Sequence, residues 1–343
     1  MTNKDDLRKT RSYQPNELSE EIKVSLKTRI ISAIVALIIV VPLVIAGDIF
    51  YAILMAGILL ASTFEVVRCA KGNYSFLLYA CAFVIVCLIA FWPMIANIED
   101  WSNWRIFSGF SSFKLSVTLL MLSAFALFFM VLIDKSFTVR DACFIFTLGV
   151  LISLGIQGMC FLRYFPSYQK HLTEPSLPYF NSFDNAESCL LALYVAFGSL
   201  FTDVGAYFFG IFFGHKKINE RISSKKTWAG FFGGIFTSAA ITIAFAFILA
   251  ACGHPIGGVF TFDKWYHIVI LSILMPFVAT LGDFVFSSVK RYYGIKDFGK
   301  LIPGHGGMLD RIDSVLFTAI VAAVYIATFF GYNQLNNGII NLV

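Results

Sequence analysis

Apolar residues in this chain gather into nine long runs separated by short polar connections, at 30–46, 49–67, 75–95, 115–133, 142–162, 188–213, 230–251, 266–288 and 312–330. The runs 30–46, 115–133 and 142–162 contain no Asp, Glu, Lys or Arg. Each approaches the ~20 residues needed to cross ~30 Å of hydrocarbon. In lipid every backbone polar group must be bonded within the structure, and no alternating ten-residue barrel pattern is present, so the runs predict helices. Only Gly47 and Asp48 separate the first two, which predicts a tight hairpin. No internal repeat is visible, which argues against an inverted-repeat transporter. The expected fold is all-α, a polytopic membrane bundle of about nine transmembrane helices.

Composition sharpens this picture. Of 343 residues 58% are hydrophobic and 14% charged, with a mean hydropathy of +0.77. A soluble domain has about 25% charged residues, so an ordinary cytosolic enzyme and a disordered chain are both excluded. The seven cysteines lie within or beside apolar runs without a CxxC pair, which fits small buried hydrophobes better than disulfides or zinc. The first 25 residues are polar and of mixed charge, and read as a cytosolic tail, not a signal peptide.

Orientation follows from Lys and Arg. With the N-terminus inside, the tail and the segments 68–74, 134–141, 214–229 and 289–311 carry 21 of the 26 basic residues, and the opposite side carries 5. The positive-inside rule therefore predicts a cytosolic N-terminus. The expected organisation is a cytosolic tail at 1–28, five amino-terminal transmembrane helices over 29–187, and a catalytic region at 188–343 with two basic cytosolic loops.

Polar chemistry concentrates in that last region. Asp203 and Asp283 interrupt apolar runs. A carboxylate there costs at least ~2.5–3.5 kcal/mol and should face a polar cavity, a partner or an ion. Ser287, Lys290 and Arg291 follow Asp283 at i+4, i+7 and i+8, the spacing of one helix face. Asp310 and Asp313, three apart, open the last run. Together with Asp283 they suit Mg²⁺, although Asp310 and Asp313 also fit the simpler role of acids at a helix N-terminus. Between them lies Lys296-Asp297-Phe298-Gly299-Lys300-Leu301-Ile302-Pro303-Gly304-His305-Gly306-Gly307. This glycine cluster suits phosphate binding by backbone N–H groups and tight turns alike. His305 is either chemical or loop-shaping. Glu65, at the cytosolic end of the second run, reads equally as support for the site or as an interfacial carboxylate. Gly210 with Gly214, and Gly230 with Gly234, have the spacing of close helix packing. His171, His254 and His267 fall on the outer side and take no role.

The run Ser287-Ser288-Val289-Lys290-Arg291, then Lys296-Asp297, then Pro303 to Asp313 resembles the signature of the phosphatidate cytidylyltransferases (CDP-diacylglycerol synthases). Thr202-Asp203, Ala206-Tyr207, Gly210 and Lys225-Lys226-Thr227-Trp228 resemble the segments before it, and the likeness covers most of 190–330. Ser224 stands where the family usually has Pro, and Ala229 where it has Glu.

The resemblance implies cytidylyl transfer from CTP to phosphatidic acid, giving CDP-diacylglycerol and pyrophosphate, with Mg²⁺ as cofactor and a second cation left open. It implies Asp283, Asp310 and Asp313 at the metal, and Asp283, Lys290, Arg291, His305 and Arg311 in the chemistry. Asp203, Lys225, Lys226, Thr227, Ser287 and Lys296 would meet substrate. The expected partners are CTP, phosphatidic acid and membrane lipids, with a homodimer open and no nucleic acid. The expected location is a bacterial plasma membrane, with the site facing the cytosol. Another lipid-phosphate or polyprenol-modifying enzyme is the nearest alternative, and a secondary transporter a more distant one.

Overall fold

The computed structural model describes residues 20–70, 74–96, 112–173, 186–258 and 260–331. Most of the tail, the connections at 97–111 and 174–185 and the C-terminal segment lie outside them. Nine long helices occupy the described chain: α1 (Glu20–Ala46), α2 (Asp48–Cys69), α3 (Phe76–Ala96), α4 (Ser112–Ile133), α5 (Val139–Thr173), α6 (Ala186–Phe213), α7 (Trp228–Ala251), α8 (Trp265–Tyr292) and α9 (Leu309–Ile326). Among the described residues, seven of them are long and apolar enough to cross a bilayer. The chain is an all-α polytopic membrane protein.

Several helices outrun their apolar stretches. α1 begins at Glu20, inside the polar tail, and α8 extends to Tyr292, so Lys290 and Arg291 ride on a helix end. α5 extends to Thr173 and buries Arg163, whose Nε and Nη2 donate to the Val44 and Ile45 carbonyls at 3.1 and 3.4 Å. A cation thus satisfies the last carbonyls of α1, where the chain turns at Gly47 with φ of +69°. At the turn after α4, hydrogen bonds from the Ser136 hydroxyl and amide and from the Ser75 amide hold the exposed Asp134 carboxyl down at about 2.

One element departs from the all-helical expectation. The first basic loop folds into an antiparallel hairpin of β1 (Lys217–Asn219) and β2 (Ser223–Thr227), pairing Lys217 with Thr227 and Asn219 with Ser223. Asn219 Oδ1 accepts from the amides of Arg221 and Ile222 and closes the turn.

Small residues bring the site-bearing helices together. A Cβ on Gly230 would lie 2.7 Å from the Ala206 carbonyl, and one on Gly234 2.8 Å from that of Thr202. The predicted glycine contacts are therefore what packs α6 against α7. Gly282 does the same for α8 and α9, since its Cβ would meet the Phe317 ring at 2.7 Å and the Asp313 carbonyl at 3.0 Å. That contact sets Asp283 beside Asp313. α9 also packs on α5 and joins two hydrophobic clusters, one running through α2–α5 and one through α5–α8.

Candidate active site

Four elements converge where α6, α8 and α9 meet the hairpin. Asp283 is about a quarter exposed; its Oδ2 pairs with Lys226 Nζ and its Oδ1 accepts from Ser287 Oγ at 3.2 Å. The pair couples hairpin to helix, with Lys226 also 4.2 Å above the Phe284 ring. Asp203, on α6 and open to the outside, feels the charges of Asp283, Lys226 and Arg311. Asp313 in turn feels Asp283, Lys290 and Asp203. Asp203, Asp283 and Asp313 thus share one electrostatic neighbourhood although they lie on three helices.

Helical spacing put Lys290 and Arg291 on the Asp283 face, but the structure partners them elsewhere. Lys290 Nζ lies 2.9 Å from Asp310 Oδ1 and 4.0 Å from Asp313 Oδ2. Arg291 donates to the Ile222 and Ile295 carbonyls at 3.3 and 3.2 Å, bridging hairpin and glycine loop. Asp310 is almost wholly buried; besides Lys290 it accepts from the amides of Phe298 and Gly307 at 2.8 and 3.0 Å. Its oxygens therefore hold the loop. Thr227 caps α7, its Oγ1 accepting from the Gly230 amide at 3.1 Å. Lys225, next to Lys226 on β2, is exposed.

Beside this cluster opens a cavity of about 640 Å³ lined by Arg29, Lys296, Lys300, His305 and Arg311, with the loop glycines 299, 304 and 306 in its wall. Gly304 and Gly306 have φ of +76° and +92°, conformations that glycine adopts without strain. Four cations against Asp297 make the cavity positive. Arg311 serves both regions, lining the cavity and standing within electrostatic reach of Asp203. The carboxylate side is the reverse: Asp203, Asp283, Asp310 and Asp313 outnumber Lys226, Lys290 and Arg311. Among the described residues no three His, Cys, Asp or Glu side chains converge to hold a metal by themselves.

Three residues of the amino-terminal half reach the site, and periodicity gave them no such place. Arg29 lines the cavity, and its Cγ would lie 2.8 Å from a Cβ at Gly304. Ser32 Oγ is hydrogen-bonded to His305 Nδ1 at 2.8 Å, giving His305 a partner on α1. Glu65 Oε1 and Oε2 accept from the amides of Met308 and Leu309. A polar residue near one end of each run was the only available signal.

The chain was compared with known proteins. Residues 27–329 match the model of the cytidylyltransferase family. A phosphatidate cytidylyltransferase of Staphylococcus haemolyticus is 30% identical over 296 residues, covering 85% of this chain and 95% of that protein. One of Bacillus subtilis is 29% identical over 294 residues, 86% and 95% of the two chains. One of Mycobacterium leprae is 41% identical over 134 residues, 39% of this chain and 38% of the relative. A family model spanning most of the chain, together with a cationic cavity abutting a carboxylate cluster, places this protein in the cytidylyltransferase family.

Proposed function

We propose that this protein transfers the cytidylyl group of CTP to phosphatidic acid, releasing pyrophosphate and CDP-diacylglycerol. The observation that carries the reading is the abutment of a positive cavity and a negative cluster that share Arg311. A nucleoside triphosphate needs both, since its phosphates seek cations and its metal seeks carboxylates.

A phosphatidate oxygen attacks the α-phosphorus and pyrophosphate leaves, so the protein's work is positioning and charge neutralisation. Arg29, Lys296, Lys300 and Arg311 are placed to hold phosphate oxygens. Lys225, exposed on β2, adds a cation at the approach. Asp283 keeps about a quarter of its side chain exposed, so an arriving phosphate oxygen can draw Lys226 to itself and free the carboxylate. Mg²⁺ uses one or two carboxylates and fills its other positions with water and phosphate. The excess negative charge fits it, with Asp283 and Asp313 as its protein ligands and Asp310 keeping the loop in place. When bound, the metal would neutralise phosphate charge as it develops. His305, tied to Ser32, shapes the cavity wall.

Purified protein supplied with each nucleoside triphosphate, phosphatidic acid and Mg²⁺ should form nucleotide-linked lipid from CTP, and EDTA should abolish it. Equal product from ATP, a polyprenol acceptor preferred to phosphatidic acid, or full activity in EDTA would overturn the reading.

We further propose that all nine helices cross a bacterial plasma membrane with the N-terminus and both basic loops in the cytosol. The 21-to-5 distribution of Lys and Arg supports this, because omitting α3 or α4 would break the alternation. Cysteines introduced in a cysteine-free background at Glu220 and Lys300 should label from the cytosolic face. One at His254 should label only from the other. Labelling of 220 and 254 from the same side would exclude nine crossings.

A further inference from the structure

Glu65 belongs to α2, far from the signature segments in sequence. It is 4% exposed, and among the described residues it forms no ion pair. A buried carboxylate without a counter-cation must be stabilised by hydrogen bonds or by a dipole. Glu65 has both: Oε1 accepts from the Met308 amide at 2.8 Å and Oε2 from the Leu309 amide at 2.9 Å. These are the first amides of α9, where the helix dipole is positive. α9 has no cap of its own, since Met308 at the N-cap position makes no side-chain cap bond. The cap is supplied from a residue 244 positions away.

The same carboxylate accounts for two glycines that backbone conformation leaves unexplained. Neither Gly299 nor Gly307 has a positive φ. A Cβ at Gly299 would lie 2.8 Å from Glu65 Cδ, and one at Gly307 2.7 Å from it. Both are thus glycine where the loop closes around Glu65. On the other side of the same loop Asp310 accepts from Phe298 and Gly307. The loop is held between two carboxylates, one from each half of the chain.

We propose that Glu65 is a positioning residue for cytidylyl transfer: its carboxylate sets the glycine loop and the first turn of α9, and through them the cavity cations and Asp313. This rests on the function proposed above. Misplacing reacting groups by about 1 Å costs on the order of 10²-fold in rate.

The test uses full-length protein in nanodiscs. Glu65→Gln keeps shape but turns an amide group toward one of the two N–H donors. It should lower kcat/KM for CTP by on the order of 10²-fold. Amide exchange should accelerate across residues 298–309 and stay unchanged in α3 to α5. Gly307→Ala, which leaves the carboxylate intact but crowds it, should reproduce both effects. Adding Gly307→Ala to Glu65→Ala, where the space is vacant, should cost little more than Glu65→Ala alone. A folded Glu65→Gln protein with wild-type kcat and KM and only a lower melting temperature would reduce Glu65 to a stabilising cap and overturn the proposal. Unchanged exchange in 298–309 would do the same. If Glu65→Gln does not fold, Gly307→Ala decides alone, and wild-type activity there overturns the proposal. If the wild type itself fails to make CDP-diacylglycerol, the function fails instead, and the exchange measurement still judges the clamp.

Discussion

Asp283→Asn is expected to give a folded protein whose turnover falls by at least about 10²–10³, the cost of removing one pre-organised electrostatic contact from a transition state. Folding should survive because Asn has nearly the same shape, its oxygen can still accept from Ser287, and Lys226 keeps its contact with the Phe284 ring. A competing account makes Asp283 a mere counter-charge to Lys226. The two accounts diverge in the double variant Asp283→Asn with Lys226→Met. If Asp283 only neutralises Lys226, removing both charges should restore much of what the single change lost. If Asp283 serves the transferring phosphates through a cation, the double variant should be at least as impaired, and residual activity in Asp283→Asn should need more Mg²⁺. Mg²⁺ titrations of kcat for wild type and the single and double variants measure this directly. An unchanged Mg²⁺ requirement with substantial turnover would take Asp283 out of the chemistry.

What sequence reasoning recovered is what depends on local order. Apolar runs gave helix positions because burying a backbone in lipid demands long uninterrupted helices. Asp203 and Asp283 stood out because a carboxylate inside an apolar run needs a reason. Partners were not legible. Spacing along α8 placed Lys290 and Arg291 in line with Asp283, yet such spacing says nothing about competitors arriving from other elements. Asp310 draws Lys290 away, and the carbonyls of Ile222 and Ile295 take Arg291. Lys226 reaches Asp283 because β2 alternates its side chains and turns Lys225 and Lys226 to opposite faces. A five-residue strand rich in Ser and Lys carries no apolar alternation that would reveal it. Thr227 shows a further limit: the resemblance placed it at substrate, and nothing in the local sequence showed that its hydroxyl caps α7. Arg29 and Ser32 were hidden, and Glu65 was left between two readings, for a different reason. Their relation to the glycine loop exists only after α1 and α2 come beside that loop, across some 240 or more residues of chain.

Lys290 illustrates how these hidden partnerships change an expected phenotype. A cation aligned with Asp283 and facing phosphate would act on substrate affinity. The structure instead leaves Lys290 only 8% exposed, bonded to Asp310, close to Asp313 and 5.5 Å from the Phe298 ring centroid. Lys290→Met should therefore act first on stability. It leaves Asp310 and Asp313 facing each other's surroundings without their shared cation, and removing one partner of a buried ion pair costs about 3–5 kcal/mol. Thermal unfolding in nanodiscs should show a markedly lower midpoint, and the glycine loop should loosen because Asp310 holds it. Adding Asp310→Asn should recover much of the midpoint, since the amide oxygen still accepts from Phe298 and Gly307 while the uncompensated charge is gone. Lys225→Met, exposed on β2, makes the contrast: its midpoint should stay near that of wild type and its effect should fall on KM for CTP. A Lys290→Met protein with a wild-type midpoint and a raised KM for CTP would return Lys290 to the substrate and remove it from the framework of the site.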